Sequence, residues 1–200
     1  MKVAIVNYGM GNITSVKNSL RFLGFEVDVI DSPDEFSNFD VFILPGVGAF
    51  GKAMEKLVSS GLSSAILKAA EEKKKIIGIC LGMQLLFERS YEFGEQKGLG
   101  LIKGEVLPLR KEIDLRVPHM GWNTTISKKD EFQDSNDDYY YVHSFYCKPE
   151  NDEDILFETN YDISFCSGVK KGNHIFGLQF HPEKSQKNGI ELLRKIIENG

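Results

Sequence analysis

Gly78-Ile79-Cys80-Leu81-Gly82-Met83-Gln84 decides how this chain is read. It begins inside an apolar run, Ile76-Ile77-Gly78-Ile79, of the kind that forms a strand buried on both faces of a parallel sheet. The following Met83-Gln84-Leu85-Leu86-Phe87-Glu88 holds good helix formers and little that breaks a helix, so it predicts a helix. A cysteine at a strand-to-helix turn, with glycine two residues before and two after, is the pattern of a nucleophile elbow with sulfur in place of oxygen. A turn this tight strains the backbone, and a Cβ on either side would crowd it. The orphan N–H groups and positive dipole end of the coming helix favour thiolate over thiol there. A small buried cysteine at a sheet edge is the alternative. The paired glycines, with a strand before and a helix after, favour the nucleophile.

Upstream the same strand-turn-helix rhythm repeats. Lys2 to Val6 reads as a first strand, Asn7-Tyr8-Gly9-Met10-Gly11-Asn12 as a glycine-rich turn, and Ile13 to Leu23 as a helix closed by Gly24. Glu26 to Ile30 is a second strand and Asp40 to Leu44 a third. The third runs into Pro45-Gly46-Val47-Gly48-Ala49-Phe50-Gly51, whose glycines let N–H groups turn toward an anion or a developing oxyanion. Helical patterns fill Ala53 to Leu57 and Leu62 to Lys75. This order predicts an α/β fold: a mostly parallel central sheet with helices on both faces, three layers in all. One rival reading sits in the first unit. Gly9-x-Gly11-x-x-Thr14, with Asp28 or Asp31 downstream, approaches a dinucleotide fingerprint. It lacks the third glycine and no substrate domain follows, so a structural or partner-facing loop is favoured over a nucleotide-binding module.

Downstream the character changes. Leu101 to Leu109, Thr124 to Ser127, Tyr139 to Cys147, Ile155 to Glu158, Ile163 to Val169 and His174 to Phe180 read as strands at hairpin-like spacing, which adds an antiparallel region to the sheet. Asp130 to Asp138 and Glu150 to Asp154 read as solvated acidic loops. Ser185 to Asn199 reads as an amphipathic helix with Ile190, Leu193 and Ile197 on one face. The 200 residues suit one domain, 1–200, with a full core. A net charge of −5 argues against nucleic acid or an anionic membrane as partner. No apolar run approaches the ~20 residues that span a bilayer, and the N-terminus reads as a strand and not as a leader. Three cysteines without a CxxC suggest neither disulfide framework nor metal site, and fit a reducing cytoplasm.

A thiol nucleophile needs a base, and the base an orienting group. Gln179-Phe180-His181-Pro182-Glu183 offers both: a histidine at the end of an apolar strand, and a carboxylate held near it by proline. Strand ends along one edge of a parallel sheet converge, so Cys80, His181 and Glu183 form a candidate triad of nucleophile, base and orienter. The plainer reading of His181 and Glu183 is a surface ion pair. His174 reads as a solvent-facing turn residue, while His119 and His143 lie in aromatic-rich runs that line a pocket or an interface. Cys147 and Cys166 have no recognisable metal-ligand spacing with these histidines.

The elbow together with the Gln-Phe-His-Pro-Glu stretch resembles the class I glutamine amidotransferases. Within them, three further stretches resemble the glutaminase subunits of imidazole glycerol phosphate synthase in histidine biosynthesis: Asn7 to Asn12, Pro45 to Phe50, and Val117-Pro118-His119-Met120-Gly121-Trp122-Asn123. Tyr140 to Tyr146 also fits. The resemblance implies that Cys80 attacks the side-chain amide of L-glutamine, His181 moves the proton and Glu183 orients it. Leu81 N–H and a backbone N–H near Val47 would form the oxyanion hole. Gly46, Gly48 and Gln84, with the backbone at His143 and Ser144, would hold glutamine. Ammonia would pass to a (β/α)₈ cyclase subunit in a heterodimer, with Asn12, Trp122, Tyr141 and Lys184 at the interface. No cofactor and no metal are implied. A glutaminase subunit serving another synthase, or a non-catalytic scaffold on this fold, are the remaining alternatives, and the intact triad speaks against the second.

Overall fold

The computed structural model describes residues 1–199. Short β-branched and aliphatic runs build its centre: β1 (Lys2–Val6), β2 (Glu26–Ile30), β3 (Val41–Gly46) and β4 (Lys75–Cys80). These alternate with α1 (Ile13–Phe22), α2 (Phe50–Ser59) and α3 (Leu62–Glu71). After the elbow come α4 (Leu81–Leu85), β5 (Phe87–Ser90), β6 (Gln96–Lys97) and β7 (Ile102–Pro108). The chain then makes β8 (His119–Ser127), β9 (Asp137–His143), β10 (Phe145–Pro149), β11 (Ile155–Tyr161), β12 (Ile163–Lys171), β13 (Ile175–Leu178) and α5 (Gln186–Asn199).

The sheet runs β2-β1-β3-β4-β13-β12-β10-β7-β5-β6. Its first five members are parallel neighbours, and β12, β10 and β7 continue it antiparallel. β11, β8 and β9 branch from β12 as an antiparallel extension. Val3 to Val6 are fully buried because helices cover both faces. On one face Val16 and Leu20 of α1, and Leu192, Leu193, Ile196 and Ile197 of α5, meet Val3, Ile5, Ile43 and Ile77. On the other, Phe50, Leu57, Leu62 and Ile66 of α2 and α3 meet Ala4, Val6, Phe42 and Leu44. The three-layer, mostly parallel architecture expected from the sequence is therefore present.

Local expectations differ at several points. The helix after the elbow stops at Leu85, and Phe87-Glu88 belong to β5, where Phe87 is fully buried and paired in parallel with Ile102. Helix propensity is a weak prior, and burying Phe87 beside β7 overrides it. The run Tyr139 to Cys147 is two strands and not one: the chain breaks at Ser144, β9 pairing with β8 and β10 with β7 and β12. The acidic stretch after Lys129 is a 3₁₀ turn (Asp130–Ser135) that buries Phe132, with Asp137 and Asp138 already in β9. In α5, Leu192 and Ile196 join Leu193 and Ile197 in the core, while Ile190 is half-buried.

Candidate active site

Cys80 ends β4 with φ +55° and ψ −113°, a conformation that a non-glycine residue keeps only where its surroundings impose it. The flanking glycines permit the close backbone approach that holds it there. A Cβ on Gly78 would lie 2.5 Å from the Gly82 carbonyl oxygen, and one on Gly82 would lie 1.7 Å from the Leu44 carbonyl oxygen. The helix behind the sulfur has only 5 residues, so the expected dipole contribution is that of a short helix. Cys80 Sγ lies 3.8 Å from the Val142 carbonyl oxygen, to which it donates, and 3.9 Å from Gln179 Nε2.

β13 lies beside β4 in parallel register, Leu178 opposite Ile79. Three residues later the chain delivers His181 next to Cys80. His181 N–H donates to the Tyr140 carbonyl (2.9 Å), and Ser185 Oγ donates to the His181 carbonyl (2.7 Å), which fixes the backbone. His181 Nδ1 and Glu183 Oε1 are 2.9 Å apart, with both side chains buried. His181 Nε2 and Glu183 Oε2 are buried and have no hydrogen-bond partner. Burial alone would push the His181 pKa down. The nearby sulfur and the Glu183 carboxylate outweigh it and raise the imidazole to about 10. Nε2 makes no hydrogen bond of good geometry to Sγ, so the Glu183 bond and carboxylate are the part of the rise that the resting geometry carries. Within the pair, His181 is thus the group that takes up the thiol proton when the sulfur reacts.

Gly46 ends β3 directly opposite Cys80. Tyr8 Oη, buried, donates to the Pro45 carbonyl at 2.8 Å and pins this strand end, with its own pKa pushed up by burial and by Cys80. The turn at Gly9 to Gly11 packs on the same strand end, Gly11 against Pro45 and Met10 against Gly48. Beyond the pin, Gly48 has φ +99° and Val47 is 44% exposed.

These elements enclose a cavity of about 510 Å³ lined by Val47, Gly48, Cys80, Leu81, Gln84, His143, Ser144 and His181. The lining thus unites most of the residues singled out in the sequence. Gly46 lies behind the lining, where a Cβ would meet Tyr8 Oη at 2.5 Å. Glu183 stands behind His181. Gln84 Nε2 donates to the Phe145 carbonyl and to Gln179 Oε1, each at 3.1 Å, so both amide hydrogens are used and Oε1 is left to accept. Glu92 and Phe93 also line the cavity and escaped the sequence reading. Glu92 Oε2 accepts from Phe50 N–H at 2.6 Å, and Phe93 is 90% exposed at the mouth. Neither belongs to a motif; only the fold carries their loop to the site.

The proposed interface set needs one correction. Tyr141 is fully buried, its hydroxyl bonded to Thr125 Oγ1 (2.6 Å) and Thr159 Oγ1 (2.7 Å), and it cannot face a partner. Side chains alternate along β9, so Tyr139, Tyr141 and His143 point inward and Tyr140 outward. Tyr140 meets exposed Trp122 edge-on at 6.1 Å, and Lys184 Nζ lies 5.8 Å over its ring. Asn12 is half-buried and caps α1 through Ser15 N–H. His174 is half-buried at the start of β13, outside the cavity. Cys147 and Cys166 are free, buried register partners on β10 and β12, their thiols pushed up by burial. Among the described residues no group of three or more His, Cys, Asp or Glu side chains is placed to hold a metal, and no helix is long and apolar enough to cross a membrane.

Residues 4–199 match the family model of glutamine amidotransferase class-I. The chain is 46% identical over 202 residues to the imidazole glycerol phosphate synthase subunit HisH of Sulfurimonas denitrificans, covering 98% of this chain and 97% of that protein. It is 44% identical over 205 residues to the HisH subunit of Wolinella succinogenes, covering 99% and 100%. It is also 42% identical over 200 residues to the imidazole glycerol phosphate synthase hisHF of Arabidopsis thaliana, covering 98% of this chain but 34% of that longer protein. Among solved structures, a glutamine amidotransferase superposes with a TM-score of 0.79 at 18% identity, over 99% of this chain and 98% of that one. PurLQS from Thermotoga maritima superposes with a TM-score of 0.77 at 22% identity, over 98% and 97%. At these identities the two superpositions speak for the fold alone.

Proposed function

The chain belongs to the class I glutamine amidotransferases, and on that premise we propose that it is the glutaminase subunit of an imidazole glycerol phosphate synthase. One observation carries the chemistry: Cys80 and His181 lie at the neighbouring ends of β4 and β13, facing one cavity, with Glu183 bonded to the far nitrogen of the imidazole. Cys80 Sγ attacks the side-chain amide carbon of L-glutamine, its proton passing to His181 Nε2. The tetrahedral oxyanion is met by Leu81 N–H and a backbone N–H near Val47. His181 protonates the amide nitrogen, the C–N bond breaks and ammonia leaves a thioester on Cys80. Water then attacks the thioester with His181 as base, releasing glutamate and restoring the thiol. Gln84 Oε1 and the Glu92 carboxylate suit the α-ammonium of the substrate. Gly48 and the backbone at His143 and Ser144 suit its carboxylate end.

Ammonia passes to a (β/α)₈ cyclase subunit, which docks in a heterodimer on the face bearing Trp122, Tyr140, Lys184 and Asn12. Full-length identities of 44–46% to HisH subunits favour this synthase over another amidotransferase. The hisHF relative, two thirds of which lies outside the match, fits a partner carried in the same chain. Three free cysteines suit a reducing cytoplasm. The test is Cys80→Ala. Glutamine hydrolysis should vanish while the complex with a co-expressed cyclase still forms, and still cyclises when ammonia is supplied. Near wild-type hydrolysis by the variant would remove Cys80 from the reaction.

A further inference from the structure

Below the cavity two buried histidines form a hydrogen-bonded row that the reaction above does not use. Asn123 Nδ2 lies 3.2 Å from His119 Nε2, His119 Nδ1 lies 2.9 Å from His143 Nε2, and His143 Nδ1 lies 2.8 Å from the Phe145 carbonyl oxygen. That carbonyl also accepts from Gln84 Nε2, and Gln84 in turn reaches Gln179, which touches Cys80 Sγ.

Both ends of the row have one polarity. The Phe145 carbonyl can only accept, so His143 carries its proton on Nδ1. The Asn160 carbonyl, 2.8 Å from Asn123 Nδ2, can only accept as well, so that atom is the amide nitrogen and donates. Between these fixed ends one proton assignment satisfies every contact. Asn123 donates to His119 Nε2, His119 Nδ1–H donates to His143 Nε2, and His143 Nδ1–H donates to the Phe145 carbonyl. An extra proton anywhere in the row would set N–H against N–H. Burial lowers the pKa of His119 to about 4 and that of His143 to about 3, so both stay neutral. Stacking holds the His119 ring. His119 is stacked between Tyr161 (4.0 Å) and Tyr141 (4.8 Å), and the Tyr161 hydroxyl donates to the Arg116 carbonyl.

The row ends where β9 breaks into β10 at Ser144, the wall of the cavity. The His143 bond to the Phe145 carbonyl spans that break, and the same carbonyl orients the Gln84 amide. We propose that His119 is a positioning residue for glutamine: through His143 it fixes the backbone at Ser144 and turns Gln84 Oε1 toward the substrate. This rests on the glutaminase reading of the cavity. The row also begins at Asn123, next to Trp122 on the face assigned to the cyclase, so its outer end lies at the rim of that surface.

Two experiments decide it. In the first, ¹H–¹⁵N two-bond correlation spectra of the wild-type chain read the imidazole tautomers. His119 and His143 should both be Nδ1–H, the less common form, and stay so from neutral pH down to about pH 5. An Nε2–H tautomer or an imidazolium at either residue overturns the row. In the second, steady-state glutamine hydrolysis is measured for the chain with its co-expressed partner. His119→Phe keeps a ring between the two tyrosines and removes both nitrogens; it should raise KM for glutamine about tenfold and change kcat less than about threefold. His119→Asn, whose amide can replace Nδ1–H, should recover most of the lost affinity. An unchanged KM in His119→Phe, a loss confined to kcat, or no recovery in His119→Asn overturns the proposal. Should His119→Phe fail to fold, the tautomers decide alone. A wild-type complex that hydrolyses no glutamine would overturn the glutaminase reading instead, and the spectra would still test the row.

Discussion

His181 and Glu183 share a hydrogen bond but not a task. In the proposed reaction the imidazole carries the proton, whereas the carboxylate fixes its orientation and charge. Glu183→Gln keeps an acceptor for Nδ1–H, so its kcat for glutamine should exceed that of His181→Ala by at least about tenfold. Equal losses in single-turnover assays would give Glu183 another role. The histidines also set opposite pH dependences of stability. His181, raised to about 10 against the usual 6.5, stabilises the fold fully below 6.5 and loses that contribution as pH climbs through about 10. His119 and His143 are lowered to about 4 and about 3. The unfolded chain therefore takes up protons first as pH falls below 6.5, and stability drops until these groups too are protonated. Calorimetric melts should show His119→Phe losing less Tm than wild type between about pH 7 and about pH 4.5. An equal loss would mean that His119 does not stay neutral in the fold.

The elbow is the element whose geometry the sequence states most directly. Two glycines at fixed spacing say that backbone comes close, and the contact of a Gly82 Cβ with the Leu44 carbonyl identifies what comes close. Gly82→Ala should lower stability by more than about 4 kcal/mol or prevent folding, read from soluble yield and thermal melts. A variant with wild-type Tm would mean the turn relaxes. The parallel half of the fold was legible because its signals are local: apolar runs, caps and glycine turns within a few residues of each other. The antiparallel half was legible only as strands. What β8, β9 and β11 pair with depends on residues far along the chain, and the break at Ser144 exists because β9 and β10 join different neighbours. Phe87 shows the same limit, a helix former claimed by a distant strand. Tyr139, Tyr140 and Tyr141 are consecutive aromatics, so alternation alone cannot say which faces inward. The candidate triad needed no such knowledge, since its histidine and carboxylate are two residues apart.

Docking of a partner belongs to the molecule as a whole. Exposed Trp122 and half-buried Tyr140 form an aromatic pair with Lys184 over the tyrosine ring, the composition of a binding hot spot. Trp122→Ala should weaken association with the cyclase by about 2 kcal/mol, near thirtyfold in Kd, by calorimetric titration. Tyr141→Phe should leave that Kd unchanged and lower stability by about 1–3 kcal/mol, because it leaves buried threonine hydroxyls short of a partner. The reverse pattern would restore Tyr141 to the interface.

The strand that leads into His181, β13, enters the sheet after β5 to β12 have been laid down, although it lies beside β4. A ribosome therefore finishes Cys80 long before it makes the base that serves it. While the chain is being made, the thiol has neither base nor orienter, and the cavity wall at His143 and Ser144 is still to come. On the proposed mechanism, cellular glutamine thus meets no working catalyst on an unfinished polypeptide. Truncated products ending before β13 should be chemically silent, so premature termination costs the cell the translation and not its nitrogen donor.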